Sequence, residues 1–462
     1  MEFASGETSH WASVLALDGE AMERAIVDAG RAADESAPTA DLVRTWLALM
    51  RGESLELDAK TEAIFSRASA GRDRCQVVEV TALRAMISLS AGRLPDAIAF
   101  ARRASLMART EALAPAEVLA NVVLARVRRH SGRPHLAVRI VEALGRFAPQ
   151  APAAWLAWER VLAGGTTSDP TRAAYPDARA ACAAERLLLA AQAGQRSTFE
   201  AEASELVQAA AIFRGMQDEA QALLALLDAD RAPPPALVAF RRGDHAEVTY
   251  GLFGAGVFSG REEPGITIFA VARPGERGRR ILRDGLGLFG ACQMLSCEDG
   301  ARRMHGRTDA GLAVLTLTGP HPLAEEEFWK RVYGFVYTPA AHRGVLDVLL
   351  HRMRARLGSG GVIARSGGAL CLELHQAIAV ADPLCSPPAE ARILSALARQ
   401  RLATADALAG RLGITPRAAQ MALHQLVSDG ACAVRRSGRR VEYQLQDSAF
   451  SEPTSADAFR QG

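Results

Sequence analysis

Apolar residues recur at helical spacing through the first half of the chain. From about residue 11 to residue 230 the sequence is rich in alanine and leucine, with little of the alternation typical of strands. This pattern predicts a run of amphipathic helices. One segment also repeats, because residues 90–104, "SAGRLPDAIAFARRA", are echoed by residues 130–144, "HSGRPHLAVRIVEAL".

Each copy predicts a helix, a tight turn and a second helix. Gly92 or Gly132 ends the first helix, since glycine best tolerates the left-handed conformation found there. Pro95 or Pro134 then opens the next helix, where no N–H is needed. A weaker third copy occupies residues 187–207.

Stacked units of this kind predict an α-solenoid. The segment resembles tetratricopeptide-type repeats, whose stacks usually present a concave face to a partner. A plain helical bundle used for self-association is the alternative interpretation.

The helical pattern stops at residues 231–240, "RAPPPALVAF", because successive prolines cannot continue a helix. Beyond it, β-forming residues surround the turn signal Pro274-Gly275, which predicts a small antiparallel sheet. The glycines of residues 251–260 match no phosphate-binding loop. We therefore predict a repeat domain (1–231), a linker with a β-rich segment (232–300), two further domains (301–381 and 386–447) and a disordered tail (448–462).

Residues 342–358, "HRGVLDVLLHRMRARLG", predict one long helix. Its apolar stripe consists of Leu346, Leu350, Met353 and Leu357. Cationic side chains flank the stripe on both sides, a pattern that a solvated amphipathic helix would also show. Two short β-compatible runs then surround Ser366-Gly367-Gly368, which predicts a tight hairpin.

The order of helix, loop, basic helix and hairpin over residues 323–374 resembles the OmpR/PhoB-type winged-helix domain of bacterial response regulators. The resemblance rests on "FWKRVYGFVY", "VLDVLLHRMRARLG" and "IARSGGALCLEL", and "RTDAGLAVLTLTG" extends it to residue 307. It implies that Val348 and Arg352 face the major groove of DNA. It also implies that His351 and Arg354 lie near phosphates or base edges, and that Arg365 reaches the minor groove or the backbone.

A second basic segment follows the proline-rich residues 382–388. Thr404 is a predicted N-cap for a helix that ends near Gly413, and Thr415 with Pro416 caps and opens the next helix. Two helices joined in this way make a helix-turn-helix. The second helix carries Arg417, Gln420, Met421 and His424 on one face and Ala419, Leu423 and Leu426 on the opposite face.

Residues 432–445 then alternate about the turn Ser437-Gly438, with Arg435, Arg436, Arg439 and Arg440 at the tip. Four guanidinium groups repel one another unless an anion is near, and a phosphate backbone is the simplest such partner. The segment resembles MarR- or ArsR-like winged helices. The resemblance assigns DNA contacts to Thr415, to the polar helix face and to the arginine tip; a winged helix used as a protein–protein wedge is the alternative.

Charge separates the two ends of the chain, although the formal net charge is only +2. Residues 1–230 hold 25 basic and 30 acidic side chains, whereas residues 341–446 hold 14 basic and 7 acidic side chains. A basic end is typical of a partner that is anionic. The cysteines are odd in number and never form a C-x-x-C pair, so neither disulfides nor a zinc site are expected.

No H-E-x-x-H, G-x-S-x-G or similar motif occurs, so we expect neither enzymatic activity nor a cofactor. No apolar run reaches the roughly 18–20 residues that span a bilayer, and the start is acidic and polar, so we expect a cytoplasmic protein without a membrane partner. The leading hypothesis is a bacterial DNA-binding transcriptional regulator, in which two winged helices grip double-stranded DNA. Its repeats would bind a partner, sense a signal or dimerise. The competing hypothesis is an adaptor whose repeats and winged helices bind proteins.

Overall fold

The structure is a computed structural model that describes residues 10–31, 37–53, 56–147, 154–163, 178–232, 268–295, 306–385, 389–400, 402–437 and 440–446. It is mostly helical with small sheets, as the sequence predicts. Within these ranges no helix is long and apolar enough to cross a membrane. The predicted tail, the glycine-rich residues 251–260, most of the proline-rich linker and Arg439 lie outside the described residues.

The helical half, residues 10–232, consists of helices joined mostly by short turns. Their bounds are α1 (His10–Ala16), α2 (Gly19–Arg31), α3 (Ala37–Met50), α4 (Leu57–Ala70), α5 (Arg74–Ser90), α6 (Leu94–Thr110), α7 (Ala114–His130), α8 (Pro134–Phe147), α9 (Ala154–Ala163), α10 (Arg179–Gln192), α11 (Arg196–Ala210) and α12 (Arg214–Leu227).

The three predicted helix–turn–helix units are confirmed. Gly92 and Gly132 both have a φ of +72°, and Gly194 has a φ of +67° in the third unit. Proline lies in the first turn of α6 and opens α8, as predicted. In each unit the two helices pack together, and successive helices from α5 to α8 contact one another along one continuous apolar core. Local turn chemistry therefore determines where these helices begin and end.

Four of the charged side chains that are buried in the helical half contact one another. They are Arg126 and Arg129 of α7, Glu159 of α9 and Glu219 of α12, and each is at most 4% exposed. Distances between their charged atoms run from 2.8 to 3.1 Å. We call this group the buried ion cluster. It joins three helices that are far apart in the sequence.

The second half alternates strands and helices. Its strands are β1 (Ile268–Ala272), β2 (Arg279–Leu282), β3 (Gln293–Met294), β4 (Leu323–Ala324), β5 (Gly361–Ser366), β6 (Ala369–Leu374), β7 (Ile378–Ala381), β8 (Cys432–Ser437) and β9 (Arg440–Leu445). Its helices are α13 (Leu286–Phe289), α14 (Gly306–Thr318), α15 (Glu325–Tyr333), α16 (Pro339–Leu357), α17 (Ala389–Arg399), α18 (Ala405–Leu412) and α19 (Pro416–Ser428).

The predicted small sheet is larger than the sequence indicated. Strands β1 and β2 pair antiparallel around the Pro274-Gly275 turn, but β7 pairs antiparallel with β1, and β3 pairs parallel with β7. We call this four-stranded unit, in the order β2-β1-β7-β3, the central sheet. Its strands come from both sides of residue 300, so the boundary predicted there crosses a single sheet.

Two helix–hairpin modules complete the fold. The first module, residues 306–374, contains α14 to α16 and a small sheet in the order β4-β6-β5. The second module, residues 389–446, contains α17 to α19 and the hairpin β8–β9. Each module has a separate apolar core, centred on Phe328 and Trp329 in the first and on Leu423 and Leu426 in the second.

Candidate nucleic-acid interface

Helix α16 begins at Pro339 and buries the apolar stripe that the sequence predicts. Leu346, Leu350, Met353 and Leu357 are all at most 1% exposed. Leu349 is buried beside the stripe at 4% exposure, and the opposite face of the helix is exposed to solvent. Val348 is 51% exposed, and His351 and Arg352 are exposed beside it. Neither His351 nor Arg352 takes part in a hydrogen bond or ion pair with another described residue.

Two other cations of α16 have intramolecular partners. Arg354 donates from Nε to the carbonyl oxygen of Ile363 on β5, at 3.1 Å. Arg356 donates from Nη1 to the carbonyl oxygen of Leu295, at 2.9 Å. These two side chains therefore tie α16 to the hairpin and to the end of β3. Arg354 remains exposed, but part of its donor capacity is used inside the module.

The hairpin of the first module is confirmed, with Gly367 and Gly368 at φ values of +58° and +75° in its turn. The arginine of this hairpin, Arg365, contacts carboxylates of its own module. Arg365 donates to both carboxylate oxygens of Glu325, at 2.9 Å for the Nη2–Oε2 pair, and also to Asp347 of α16. The hydrogen bonds to Glu325 raise the pKa of Arg365 further above its ordinary value. Arg365 is therefore paired inside its own module, and the DNA contact that the resemblance implies for it stays a prediction.

An aromatic cluster orders the loop between α15 and α16. The ring of Trp329 stacks on Tyr333 with centroids 4.0 Å apart and on His342 with centroids 4.7 Å apart. Phe335 and Tyr337 contact the same indole ring, at 5.6 and 5.4 Å. We did not predict this cluster, although the density of aromatic residues in "FWKRVYGFVY" is a signal for it. Its ring contacts hold the loop against the first turn of α16, where His342 lies.

The second module has the caps that its sequence predicts. The Oγ1 atom of Thr404 accepts a hydrogen bond from the N–H of Ala407, at 3.2 Å, and Gly413 ends α18 with a φ of +60°. Thr415 caps α19 in the same way, because its Oγ1 accepts from the N–H of Ala418 at 3.2 Å. Thr415 is exposed and holds the start of the helix, so any contact with a ligand would be additional to its capping role.

The two faces of α19 separate as predicted. Ala419, Leu423 and Leu426 are buried, each at most 4% exposed. The polar face consists of Arg417, Gln420, Met421 and His424, all exposed, with Met421 at 66%. An apolar side chain this exposed, flanked by donors and acceptors, suits a groove that offers both methyl groups and polar base edges.

The arginines of the β8–β9 hairpin lie on both of its faces. Arg435 is paired across the strands with Glu442, and Arg440 lies two residues before Glu442 on the same strand, so these three share one face. Arg436 is paired with Val441 on the other face. Arg440 lies 3.1 Å from a carboxylate oxygen of Glu442, yet its side chain is 70% exposed.

Three exposed arginines of this module have no counter-charge among the described residues. Arg417, Arg435 and Arg436 are exposed, and none of them forms an ion pair with another described residue. Together with Arg440 they give the second module a cationic surface on its helix and its hairpin. The structure therefore leaves the second module more cationic at its surface than the first, whose Arg365 is neutralised.

Comparison with known proteins gives no match for this chain: no protein-family model, no curated protein and no solved structure matches it. The function is therefore argued from the geometry and charge of the two modules.

Proposed function

We propose that this chain is a DNA-binding transcriptional regulator of bacterial, cytoplasmic type. Its two modules act as winged helix-turn-helix domains, and its helical half acts as an α-solenoid that binds a partner, senses a signal or dimerises. The observation that carries the proposal is the presence of three exposed guanidinium groups on the β8–β9 hairpin, at Arg435, Arg436 and Arg440, in the same module as the exposed polar face of α19.

Electrostatics supports an anionic partner for this surface. Like charges on one hairpin repel one another, and Glu442 is the single carboxylate that forms an ion pair with a hairpin arginine among the described residues. A phosphate backbone would accept several guanidinium groups at once, and the released counterions would favour binding. Helix α19 would then face the major groove with Arg417 and Gln420, the residue types that hydrogen-bond to guanine and adenine.

The first module would add a second contact to the same polyanion. Arg352 is exposed on α16 with Val348 one turn before it. An arginine can donate two hydrogen bonds to one guanine, and a valine can pack against a thymine methyl group. The module lacks a free cation on its hairpin among the described residues, so we assign it base contacts more than phosphate contacts.

A salt titration of the full chain with a mixed-sequence duplex tests the proposal. We expect the logarithm of the association constant to fall linearly with the logarithm of the salt concentration. Each phosphate that the protein neutralises should contribute about −0.9 to the slope of this line. The three described hairpin arginines alone would contribute a slope of about −2.7. No detectable binding at about 50 mM salt would contradict the proposal.

One observation favours the adaptor alternative for the first module. Phe335 and Val336, in the loop before α16, are 49% and 78% exposed, and Val345 and Val348 on the helix are 48% and 51% exposed. Exposed apolar residues of this kind mark protein-binding surfaces when they are contiguous. If DNA affinity is unchanged by Arg352→Ala but lost when the second module is altered, the first module binds a protein and not DNA.

Arg365 provides a test of how the first module is held together. In Arg365→Ala, the carboxylates of Glu325 and Asp347 lose their partner and two negative charges remain beside α16. We expect DNA affinity to fall several-fold at low salt and the loss to shrink as salt rises, because exposed charges are screened. Fluorescence anisotropy across a salt series measures both effects.

The matched control is the double variant Arg365→Ala with Asp347→Asn, which removes one of the unpaired charges. It is expected to recover part of the affinity without restoring the ion pair. An equal loss at every salt concentration, with no recovery in the double variant, would mean that Arg365 contributes only to stability.

A further inference from the structure

The first module is joined to the helical half through the central sheet and the segment that follows β2. Gly287 lies against the turn between α10 and α11, where a Cβ atom on Gly287 would lie 2.6 Å from the carbonyl oxygen of Gln192. A Cβ atom on Gly194 would lie 2.8 Å from the carbonyl oxygen of Gly287. The two glycines therefore bring two backbones into direct contact, and backbone atoms cannot move aside as a flexible side chain can.

Polar contacts reinforce the same junction. Arg279 of β2 donates from Nη1 to the carbonyl oxygens of Ala229, at 2.8 Å, and Arg231. Arg273 forms an ion pair with Asp230 at 2.8 Å. Apolar side chains of the central sheet and of α13, including Ile268, Leu282 and Leu288, belong to the core of the helical half. The first module is thus attached by packed backbone and by buried apolar surface.

The second module is attached to a different part of the helical half. Its first helix, α17, packs on α8, and Leu136 of α8 is buried in the core of the second module with Ile393 and Leu397. The polar face of α19 stays exposed in this arrangement. The first module is attached through the central sheet, and α16 takes part, because Arg356 donates to the carbonyl oxygen of Leu295 directly after β3. The exposed faces of α16 and α19 nevertheless remain at the surface while both modules are docked.

The buried ion cluster lies between the two attachment points. Arg126 and Arg129 are on α7, which packs against α8, and Glu219 is on α12, which packs against β2. The tryptophan indole N–H groups of α9 also donate to the cluster, from Trp155 to Glu159 at 3.2 Å and from Trp158 to Glu219 at 2.7 Å. These contacts therefore connect α8, which contacts the second module, with α12, which contacts β2 of the central sheet.

We propose that the helical half acts as a rigid frame that sets the distance and the rotation between the two modules. The partner is then a single DNA duplex with two half-sites at a defined spacing, both contacted by one chain. This inference rests on the proposed function, because it requires each module to bind DNA. Its physical basis is effective concentration: once one module is bound, the frame presents the other to a fixed position on the duplex.

The test starts from duplexes that the full chain selects from a random-sequence pool. We expect two sequence elements separated by a constant gap. When that gap is lengthened in single base-pair steps, affinity should fall by a factor of about a hundred or more, and it should partly recover after roughly one helical turn of about 10.5 base pairs. Half a turn places the second half-site on the opposite side of the duplex, where the frame cannot reach it.

Gly287→Ala tests the frame itself, since its methyl group would collide with backbone at the junction of the first module. We expect this variant to bind the selected duplex more weakly and to lose its preference for one gap. Gly410→Ala is the matched control, because a Cβ atom there meets nothing within 4 Å. Arg279→Ala is the second variant if Gly287→Ala does not fold, since it removes only the hydrogen bonds to Ala229 and Arg231.

The outcomes separate the two proposals. If the pool yields no bound DNA at low salt, the proposed function is wrong. If it yields bound DNA with one half-site only, or with affinities that do not vary with the gap, DNA binding stands and the rigid frame is wrong. A spacing preference that is equally sharp in Gly287→Ala and in the parent chain would also contradict the frame.

Discussion

Replacing Arg435, Arg436 and Arg440 together by alanine is expected to remove most of the affinity of the full chain for mixed-sequence DNA. All three are exposed on the β8–β9 hairpin, and only Arg440 has an ion-pair partner among the described residues. If each guanidinium contributes about 1 kcal/mol, the typical net value of one hydrogen bond, affinity falls roughly a hundredfold. The slope of the logarithm of the association constant against the logarithm of the salt concentration should also become less negative, by up to about 2.7.

Fold stability should change little in this variant, because the three side chains are exposed and only one ion pair, that of the exposed Arg440 with Glu442, is lost. The measurement is fluorescence anisotropy at several salt concentrations, together with a thermal unfolding curve for each protein. Parallel loss of affinity and flattening of the slope would identify these arginines as phosphate contacts. Loss of affinity with an unchanged slope would place them away from the phosphates.

The matched control removes the same charge from the helical half, with Arg24, Lys60 and Arg72 changed to alanine. These side chains are exposed and form no ion pair with another described residue. Affinity in this control should stay close to that of the parent chain. A similar loss in both triple variants would show that net charge, and not the hairpin, determines binding, and it would contradict our assignment of the interface.

Glu219→Gln is expected to lower the stability of the helical half by about 3–5 kcal/mol, the usual result of removing one partner from a buried ion pair. Glu219 is 2% exposed and lies 3.1 Å from Arg126 and 2.8 Å from Arg129. The amide keeps the shape of the side chain but removes its charge, so the two guanidinium groups are left with Glu159 alone. Urea unfolding followed by tryptophan fluorescence measures this change, because four of the five tryptophans, among them Trp155 and Trp158 at this site, lie in the helical half.

The same variant should change the dependence of stability on pH. Burial alone would raise the pKa of Glu219, but Arg126 and Arg129 hold it well below the ordinary value of 4.5. A carboxylate with a lowered pKa in the folded state contributes stability that is fully present above about pH 4.5 and is lost as the pH falls towards the folded pKa. The stability difference between the parent chain and Glu219→Gln should therefore shrink in acid.

Asp58→Asn is the matched control for Glu219→Gln. Asp58 also forms an ion pair with an arginine, Arg93, at 2.9 Å, but its side chain is 69% exposed. Solvent screens such a pair, so the same carboxylate-to-amide change should have a much smaller effect. Equal effects of the two substitutions, or no effect of Glu219→Gln, would mean that the buried cluster is not held by charge.

Much of the local structure could be predicted because it depends on residues within one or two turns. Thr404 and Thr415 cap the helices that follow them, and Gly92 and Gly132 adopt the left-handed conformation. The buried stripe of α16 follows from spacing alone, since three- and four-residue steps place side chains on one face of a helix. In these cases the decisive interactions lie next to each other in the sequence.

Pairings between distant segments could not be predicted in this way. Strand β7 follows the first module in the sequence, yet it lies in the central sheet beside β1, about a hundred residues earlier. The sequence therefore predicted the small sheet as a separate segment that ends near residue 300. Hydrophobic alternation shows that a strand has a buried face, but it does not identify the strand with which that strand pairs.

The sequence by itself determined the mostly helical composition, the helix ends and hairpin turns, and the concentration of arginine at the second module. Only the tertiary structure decided which of those arginines are available to a ligand. Arg365 meets Glu325, 40 residues away, and Asp347, 18 residues away, whereas Arg435 and Arg436 meet no described carboxylate in an ion pair. The physical reason is that an ion pair depends on distances of a few ångströms in the folded chain, and those distances are set by packing between segments that the local pattern does not relate.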